Sequence, residues 1–307
     1  MESVDYFVLT FSIADRLSLA LIYALVLSVL WLAPTVSRHD NHRQNYLFWL
    51  SLNVLLLTTI QALFSRTAAM ADVSLIDAWT YIPRVLTASD YGTFWMLRIG
   101  LWLVMLVCAL LMQHKSETRL PAIILLIAAL GTTSLQSVTG HAGDDGFVST
   151  TNLLNSLHLL SISLWGGAVI VYALSILPTL RTLNDARQTA SAAQRLSVMA
   201  TFALMLVLIT GLFNTWRQLD NISDLWTSDY GQLLLIKLVF VSVMMTIGAL
   251  NKFIWVPRLV TQAKQASLNN NPTKIFLGIL RIDSLVFLTT MVIATILAAT
   301  TPPSHMS

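Results

Sequence analysis

Charge is scarce in this sequence: 11% of its 307 residues are Asp, Glu, Lys or Arg, against roughly 25% in soluble proteins. It has one cysteine, Cys108, which excludes an intrachain disulfide and a zinc-type cysteine cluster. No GxxxxGK[ST] phosphate loop occurs, which argues against an ATP-driven pump built within the chain. The opening MESVDYFVLTFS carries Glu2 and Asp5 but no basic n-region, so the first apolar run reads as a retained helix and not as a cleaved signal peptide.

What replaces charge is apolar surface, 56% of the residues. Uncharged runs extend over Leu17 to Ala33, Gln44 to Ser65, Leu120 to Gly143, Gly146 to Leu180, Leu196 to Trp216 and Ser284 to Ser307. Each is near or above the ~18 to 20 residues that cross a bilayer. Two more, Gly92 to Gln113 and Tyr230 to Asn251, are broken only by Arg98 and Lys237. The expected fold class is therefore an all-α integral membrane protein with eight transmembrane helices.

The short loops set the orientation, because Lys and Arg are retained on the cytoplasmic side. Arg38 and Arg43, Lys115 and Arg119, Arg181, Arg187 and Arg195, and Lys252, Arg258, Lys264 and Lys274 follow spans 1, 3, 5 and 7. Asp72, Asp77, Asp90, Asp144, Asp145, Asp220, Asp224 and Asp229 gather on the other side. Both termini are then expected to be periplasmic. The net charge of +3 is explained by these loops and gives no sign of nucleic acid as a partner.

Ser89-Asp90-Tyr91-Gly92 recurs as Ser228-Asp229-Tyr230-Gly231, and six residues past each glycine stands the one cation of its uncharged run, Arg98 or Lys237. IQALFS at Ile60 to Ser65 echoes ITGLFN at Ile209 to Asn214, and Pro34-Thr35 echoes Pro178-Thr179. Spans 1 to 4 thus read as duplicated in spans 5 to 8, a tandem 4+4 repeat with halves at residues 1–143 and 144–307 in one structural unit. Asp90 and Asp229 are placed to cap helix starts and to meet the positive end of the helix dipole. Arg98 and Lys237 lie roughly 10 Å deeper, where each must pair, snorkel or face a cavity.

Six histidines divide by position. His39, His42 and His114 sit in basic loops and read as solvated surface. His141 ends span 4, His158 stands inside span 5, and His305 lies in the tail TPPSHMS. An imidazole within a span is a functional candidate by default. Asn155, one turn before His158, is expected on the same interior seam, and Gly166-Gly167 beyond Trp165 permits close helix approach. Imidazole and thioether together suit copper, and the carboxylates that a hard cation needs are scarce in these spans. Among the 11 methionines, Met70, Met96 and Met306 share the outer side with His141, His158 and His305, so these six are the candidate metal ligands.

TGHA closing span 4, LHLLSISLWGG in span 5, RLS at Arg195 to Ser197 and LWTSDYGQLLLIKL at Leu225 to Leu238 together resemble the CopD/PcoD copper resistance D family of bacterial inner-membrane proteins. The resemblance implies a multi-pass inner-membrane copper transporter, moving the ion from periplasm to cytoplasm and contributing to copper resistance, with copper ion as cargo. It implies a separate periplasmic CopC-like copper protein as partner, and it puts weight on His141, His158, Trp165 and Lys237. Two readings stand beside it: a membrane redox protein holding b-type haem between facing histidines, and a copper sensor or scaffold without flux. The segment from Asp72 to Asp90, with Trp79, Tyr81 and Pro83, reads as an interfacial element on the outer face.

Overall fold

The computed structural model describes residues 6–32, 42–114, 118–140, 146, 148–219, 221–265 and 271–301. Among these residues there is helix and no strand, which suits a chain immersed in lipid: its backbone N–H and C=O groups find no water there, and a helix bonds them within its own segment. Eight helices are long and apolar enough to cross a membrane. The first is α1 (Tyr6–Leu27), extended by a π-helical turn at Ser28–Leu32. α2 (His42–Ala71) returns, and a short α3 (Ile82–Ala88) leads into α4 (Asp90–His114) and α5 (Arg119–Val138).

The fifth crossing is α6 (Thr150–Val171), a π turn at Tyr172–Ile176, and α7 (Leu177–Leu183). α8 (Ala186–Gln218) is the sixth. The short α9 (Asp224–Thr227) precedes the seventh, made of α10 (Asp229–Leu250), a π turn at Asn251–Trp255, and α11 (Val256–Lys264). α12 (Asn271–Ala299) is the eighth. We call the ends near Tyr6 and Ala299 the terminal face, and the ends near Arg187, Lys252 and Lys264 the basic face.

The π turns have a cause in the sequence. Pro178 and Pro257 stand in the first turn of α7 and α11, directly after two of them. Proline has no N–H and its ring crowds the carbonyl four residues back, here Leu174 and Phe253, each inside a π turn. The wider turn takes up the lost bond and the crowding. Pro34 follows the first π turn in sequence but lies outside the described residues.

The helices are longer than the uncharged runs. α1 starts at Tyr6 and takes Asp15 and Arg16 into the bundle, α2 takes in Arg66, and α12 starts at Asn271 and takes in Arg281 and Asp283. The expectation of charge-free spans beginning at Leu17 and Ser284 is corrected here. Asp15 finds its partner, Arg98, inside the bundle, and such a charge does not end a helix.

α1 and α6 form the centre. Gly167 makes this possible: a Cβ there would stand 2.0 Å from the Ala20 carbonyl oxygen, so α6 rests on the α1 backbone. A Cβ on Gly166 would stand 2.0 Å from the Phe287 ring of α12. The adjacent glycines therefore serve two different neighbours. Buried apolar side chains form a cluster around Leu19, Tyr23, Leu52, Met105 and Leu125, another around Trp165, Tyr172, Leu196, Phe276 and Phe287, and a small third of Tyr230, Leu234 and Leu297. α1 contributes to the first two. At the rim, α4 is anchored to α2 by two indoles, Trp95 Nε1 donating to the Thr59 carbonyl and Trp102 Nε1 to the Leu52 carbonyl, both at 2.8 Å.

The two Ser-Asp-Tyr-Gly stretches fold alike. Ser89 Oγ accepts from Gly92 N at 3.0 Å and donates to the Val85 carbonyl; Ser228 Oγ accepts from Gly231 N at 3.0 Å and donates to the Asp224 carbonyl. A Cβ on Gly92 or Gly231 would stand 2.2 or 2.0 Å from those same carbonyl oxygens. The cap is thus the serine, and Asp90 and Asp229 stand one residue later, in the first turn. The expectation of an aspartate cap is corrected: a side chain caps best from the residue just outside the helix.

Candidate functional site

Polar residues collect in a layer below the terminal face. Asp15 of α1, 6% exposed, is its first centre. Arg98 Nη2 of α4 stands 2.5 Å from Asp15 Oδ1, Thr58 Oγ1 of α2 donates to the same oxygen at 2.6 Å, and Gln136 Nε2 of α5 donates to Oδ2 at 2.8 Å. One carboxylate therefore ties together the first four spans, and it satisfies most of the hydrogen-bonding capacity that burial would otherwise leave open. Arg98 has the structural ion-pair role that its depth allows, with a partner that lay outside the expected span.

His158 is the second centre. At about 1.5 Å per residue it lies roughly 12 Å below Thr150, the start of α6, and it is 7% exposed. Its Nδ1 stands 2.9 Å from Thr210 Oγ1 on α8. The Thr210 hydroxyl donates its own hydrogen to the Leu206 carbonyl at 2.5 Å, so toward His158 it accepts. That assigns the ring proton to Nδ1 and makes Nε2 the lone-pair nitrogen, the form in which an imidazole binds a metal. Gly211 makes room for the ring: a Cβ there would lie 3.2 Å from its Cε1.

One turn earlier, Asn155 joins the same seam. Its Nδ2 donates to Ser137 Oγ of α5 at 2.9 Å, and its Oδ1 accepts from Asn214 Nδ2 of α8 at 3.3 Å. The expected shared face of Asn155 and His158 is thereby a contact with one helix, α8, at Asn214 and Thr210.

Cations accompany His158. Lys237 of α10 interacts electrostatically with both His158 and Arg16, and Arg16 Nη1 is held by Thr295 Oγ1 of α12 at 2.9 Å. Asp15 with Arg98 is the one ion pair among the described residues, so Lys237, at the position that Arg98 has in the other stretch, lacks a carboxylate. Approach of a bare divalent ion to His158 is opposed by these charges, and that of a monovalent ion less so.

Trp165, two turns further along α6, is buried and lines a cavity of about 260 Å³ on the basic side of the layer. Ser197 and Thr201 of α8, Asn251 and Lys252 of the α10 π turn, and Asp283 of α12 line it too. Lys252 Nζ is bonded to Thr201 Oγ1 at 2.9 Å.

The other expected residues are placed differently. Met70, near the end of α2, is 52% exposed and Met96, on α4, is 48% exposed, whereas the His158 ring is buried. His141, His305 and Met306 lie outside the described residues. Of the other histidines in the described helices, His42 opens α2 at the basic face and His114 closes α4; neither is at the depth of His158. No group of three or more His, Cys, Asp or Glu side chains gathers for a metal among the described residues. Sequence reasoning missed Asp15, Arg16, Thr210 and Asp283. A span search tolerating two charges within an otherwise apolar window finds the three charged ones; nothing local in sequence pairs Thr210 with His158.

Eight apolar crossings with a buried polar layer define a polytopic helical membrane protein, and the comparisons with known proteins narrow this. Residues 190–297 match the family model for copper resistance protein D, and residues 3–150 match that for a copper resistance protein D-like N-terminal domain. The chain belongs to the copper resistance protein D family, multi-pass proteins of the bacterial inner membrane. It is 26% identical to inner membrane protein YebZ of Escherichia coli over 79% of this chain and 82% of that one. It is 26% identical to copper resistance protein D of Pseudomonas syringae pv. tomato over 66% of each chain. It is 25% identical to the copper transport protein CutJ of Bacillus subtilis over 56% of this chain and 32% of that one. No solved structure matches the chain.

Proposed function

We propose that this protein carries copper across the inner membrane from periplasm to cytoplasm, as a transporter and not an enzyme, and so contributes to copper resistance. The observation that carries the reading is the imidazole of His158, buried within a span, with its proton directed to Thr210 and its Nε2 lone pair left for a ligand. Membership of a family named for copper resistance, and a relative named for copper transport, support copper as the cargo. The surrounding cations favour a monovalent ion, Cu(I), for which imidazole and thioether are suitable donors.

In this reading His141 and His158 capture the ion near the periplasmic mouth, assisted by Met70, Met96, His305 and Met306, with Asn155 and Trp165 shaping the path and Arg98 and Lys237 setting its field. A periplasmic CopC-like protein delivers the ion. In the same reading the basic face is cytoplasmic and both termini are periplasmic, which the excess of Lys and Arg in the basic loops supports. The matched capping of α4 and α10 supports a tandem 4+4 repeat, with halves at residues 1–143 and 144–307. The reading is tested by copper uptake into proteoliposomes. Wild type accumulates copper, while His158→Ala and His141→Ala lose most of the initial rate; equal uptake by all three overturns it.

A further inference from the structure

α12 packs against α1, α6 and α10, and its contacts with them mark one common height. Arg16 Nη1 of α1 donates to Thr295 Oγ1 at 2.9 Å, and the hydroxyl donates in turn to the Met291 carbonyl at 2.8 Å. Gly166 of α6 rests on Phe287, and α6 and α12 cross in opposite directions. His158, eight residues before Gly166, is therefore level with Thr295, eight residues after Phe287. On α10, Tyr230 and Leu234 share a cluster with Leu297, and Met244 Sδ accepts from Thr290 Oγ1 at 3.7 Å. Lys237 lies between these two contacts, and the same count brings it within a turn of the level of Thr295. The electrostatic interactions of Lys237 with Arg16 and His158 agree with this register.

Negative charge is short at this height. Asp15, one residue before Arg16, is already engaged by Arg98, Thr58 and Gln136. Arg16 feels its field but is bonded only to the neutral Thr295 hydroxyl, and Lys237 has neither a hydrogen bond nor an ion pair among the described residues. With Asp15 offsetting Arg98, the Arg16 guanidinium and the Lys237 ammonium are left over. Excess charge of one sign within a span is expensive unless an opposite charge meets it. Both side chains are only partly buried, so a small ion can reach them. Lys237 and His158 each lie about 12 Å beyond the start of their helix, a depth that suits a small ion better than a lipid headgroup.

We propose that Arg16 and Lys237 hold a small monovalent inorganic anion, a halide such as chloride, at the level of His158, and that Cu(I) enters with this anion. The anion site stands on packing and charge; the joint entry rests on the copper reading above. The N–H groups of both cations are donors suited to an anion. Cu(I) binds imidazole and halide alike, so His158 Nε2 supplies one donor and the halide the other, with no change of oxidation state and no proton moved. Cu(I) alone adds to an excess of two positive charges and is repelled. Cu(I) accompanied by a halide adds none.

The test is halide binding to the purified full chain in detergent, read as saturable broadening of the chlorine-35 NMR line in a gluconate medium. Wild type is expected to broaden the line several-fold more than Lys237→Gln or Arg16→Gln, and Lys264→Gln, at the exposed end of α11, to match wild type. Gel filtration and thermal melting check that the variants fold. A measurement on wild type alone avoids that dependence: copper K-edge absorption of the Cu(I)-loaded chain in bromide is expected to show bromine in the first shell of copper. Three results overturn the anion site and leave the copper reading standing: no saturable broadening by wild type, equal broadening by a folded Lys237→Gln, or loss of the broadening on adding phosphatidylglycerol, which assigns the cations to a headgroup. Bound copper without a bromine neighbour overturns the joint entry. Saturable halide binding by a wild type that retains no Cu(I), with or without halide, overturns the copper reading and leaves the anion site.

Discussion

Asp15 and Arg98, 83 residues apart in sequence, meet at 2.5 Å inside the bundle, while Lys237, the counterpart of Arg98 in the second Ser-Asp-Tyr-Gly stretch, has no ion-pair partner among the described residues. The same register of cation thus closes an ion pair in one place and stands without a carboxylate in the other.

Removing one partner of the buried pair leaves the other charge uncompensated. Asp15→Ala or Arg98→Ala is expected to cost about 3–5 kcal/mol, seen as a lower melting temperature in detergent, and the double variant is expected to lose less than the two singles combined. Strict additivity would show that the pair is not coupled.

Thr210→Val keeps the shape of the side chain and deletes the hydroxyl that orders His158. Stability is expected to fall by only about 0.6 kcal/mol, the usual scale of an interhelical hydrogen bond in membranes. Copper affinity is expected to fall about 10–100-fold, as when a histidine ligand loses its orienting partner. Thr210→Ser is expected to keep it. Nitrogen-15 NMR of the His158 ring reads the tautomer directly, and an unchanged tautomer in Thr210→Val would remove the orienting role.

Overpacking distinguishes the neighbouring glycines. Gly166→Ala meets a side-chain ring, Phe287, and Gly167→Ala meets the Ala20 backbone. Each is expected to destabilise by about 1–3 kcal/mol. Phe287→Leu is expected to rescue the first and not the second, as judged by the double variants' melting temperatures; rescue of both would contradict the two-neighbour geometry.

Ser89→Ala and Ser228→Ala remove equivalent caps, each worth about 1 kcal/mol. Hydrogen exchange at the first turns of α4 and α10 is expected to rise by a similar factor in the two variants. A response confined to one of them would argue that the stretches are alike in sequence only.

The number of spans, their polarity and the depth of Arg98, Lys237 and His158 were legible because lipid enforces length and apolarity on every crossing, and because a lone polar residue is conspicuous there. The shared seam of Asn155 and His158 followed from helical spacing. Asp15, Arg16 and Asp283 were not legible, since a search for uncharged runs stops at each of them and shortens α1 and α12 just where their chemistry begins. Serine was overlooked as the cap because the neighbouring aspartate offered a charge, and the geometry of capping favours position over charge. The union of Asp15 with Thr58, Arg98 and Gln136, or of His158 with Thr210, depends on helix order around the bundle, which span patterns leave open.

The contact of Gly167 with the Ala20 carbonyl has a mechanical side. Where two helices touch through backbone, no side chain intervenes that can change rotamer and let them slide. α1 and α6 then act as a fulcrum. Any displacement of α4 or α10, the two spans least buried in the bundle, is a movement relative to that fixed axis, and the lipid around them enters its energetics.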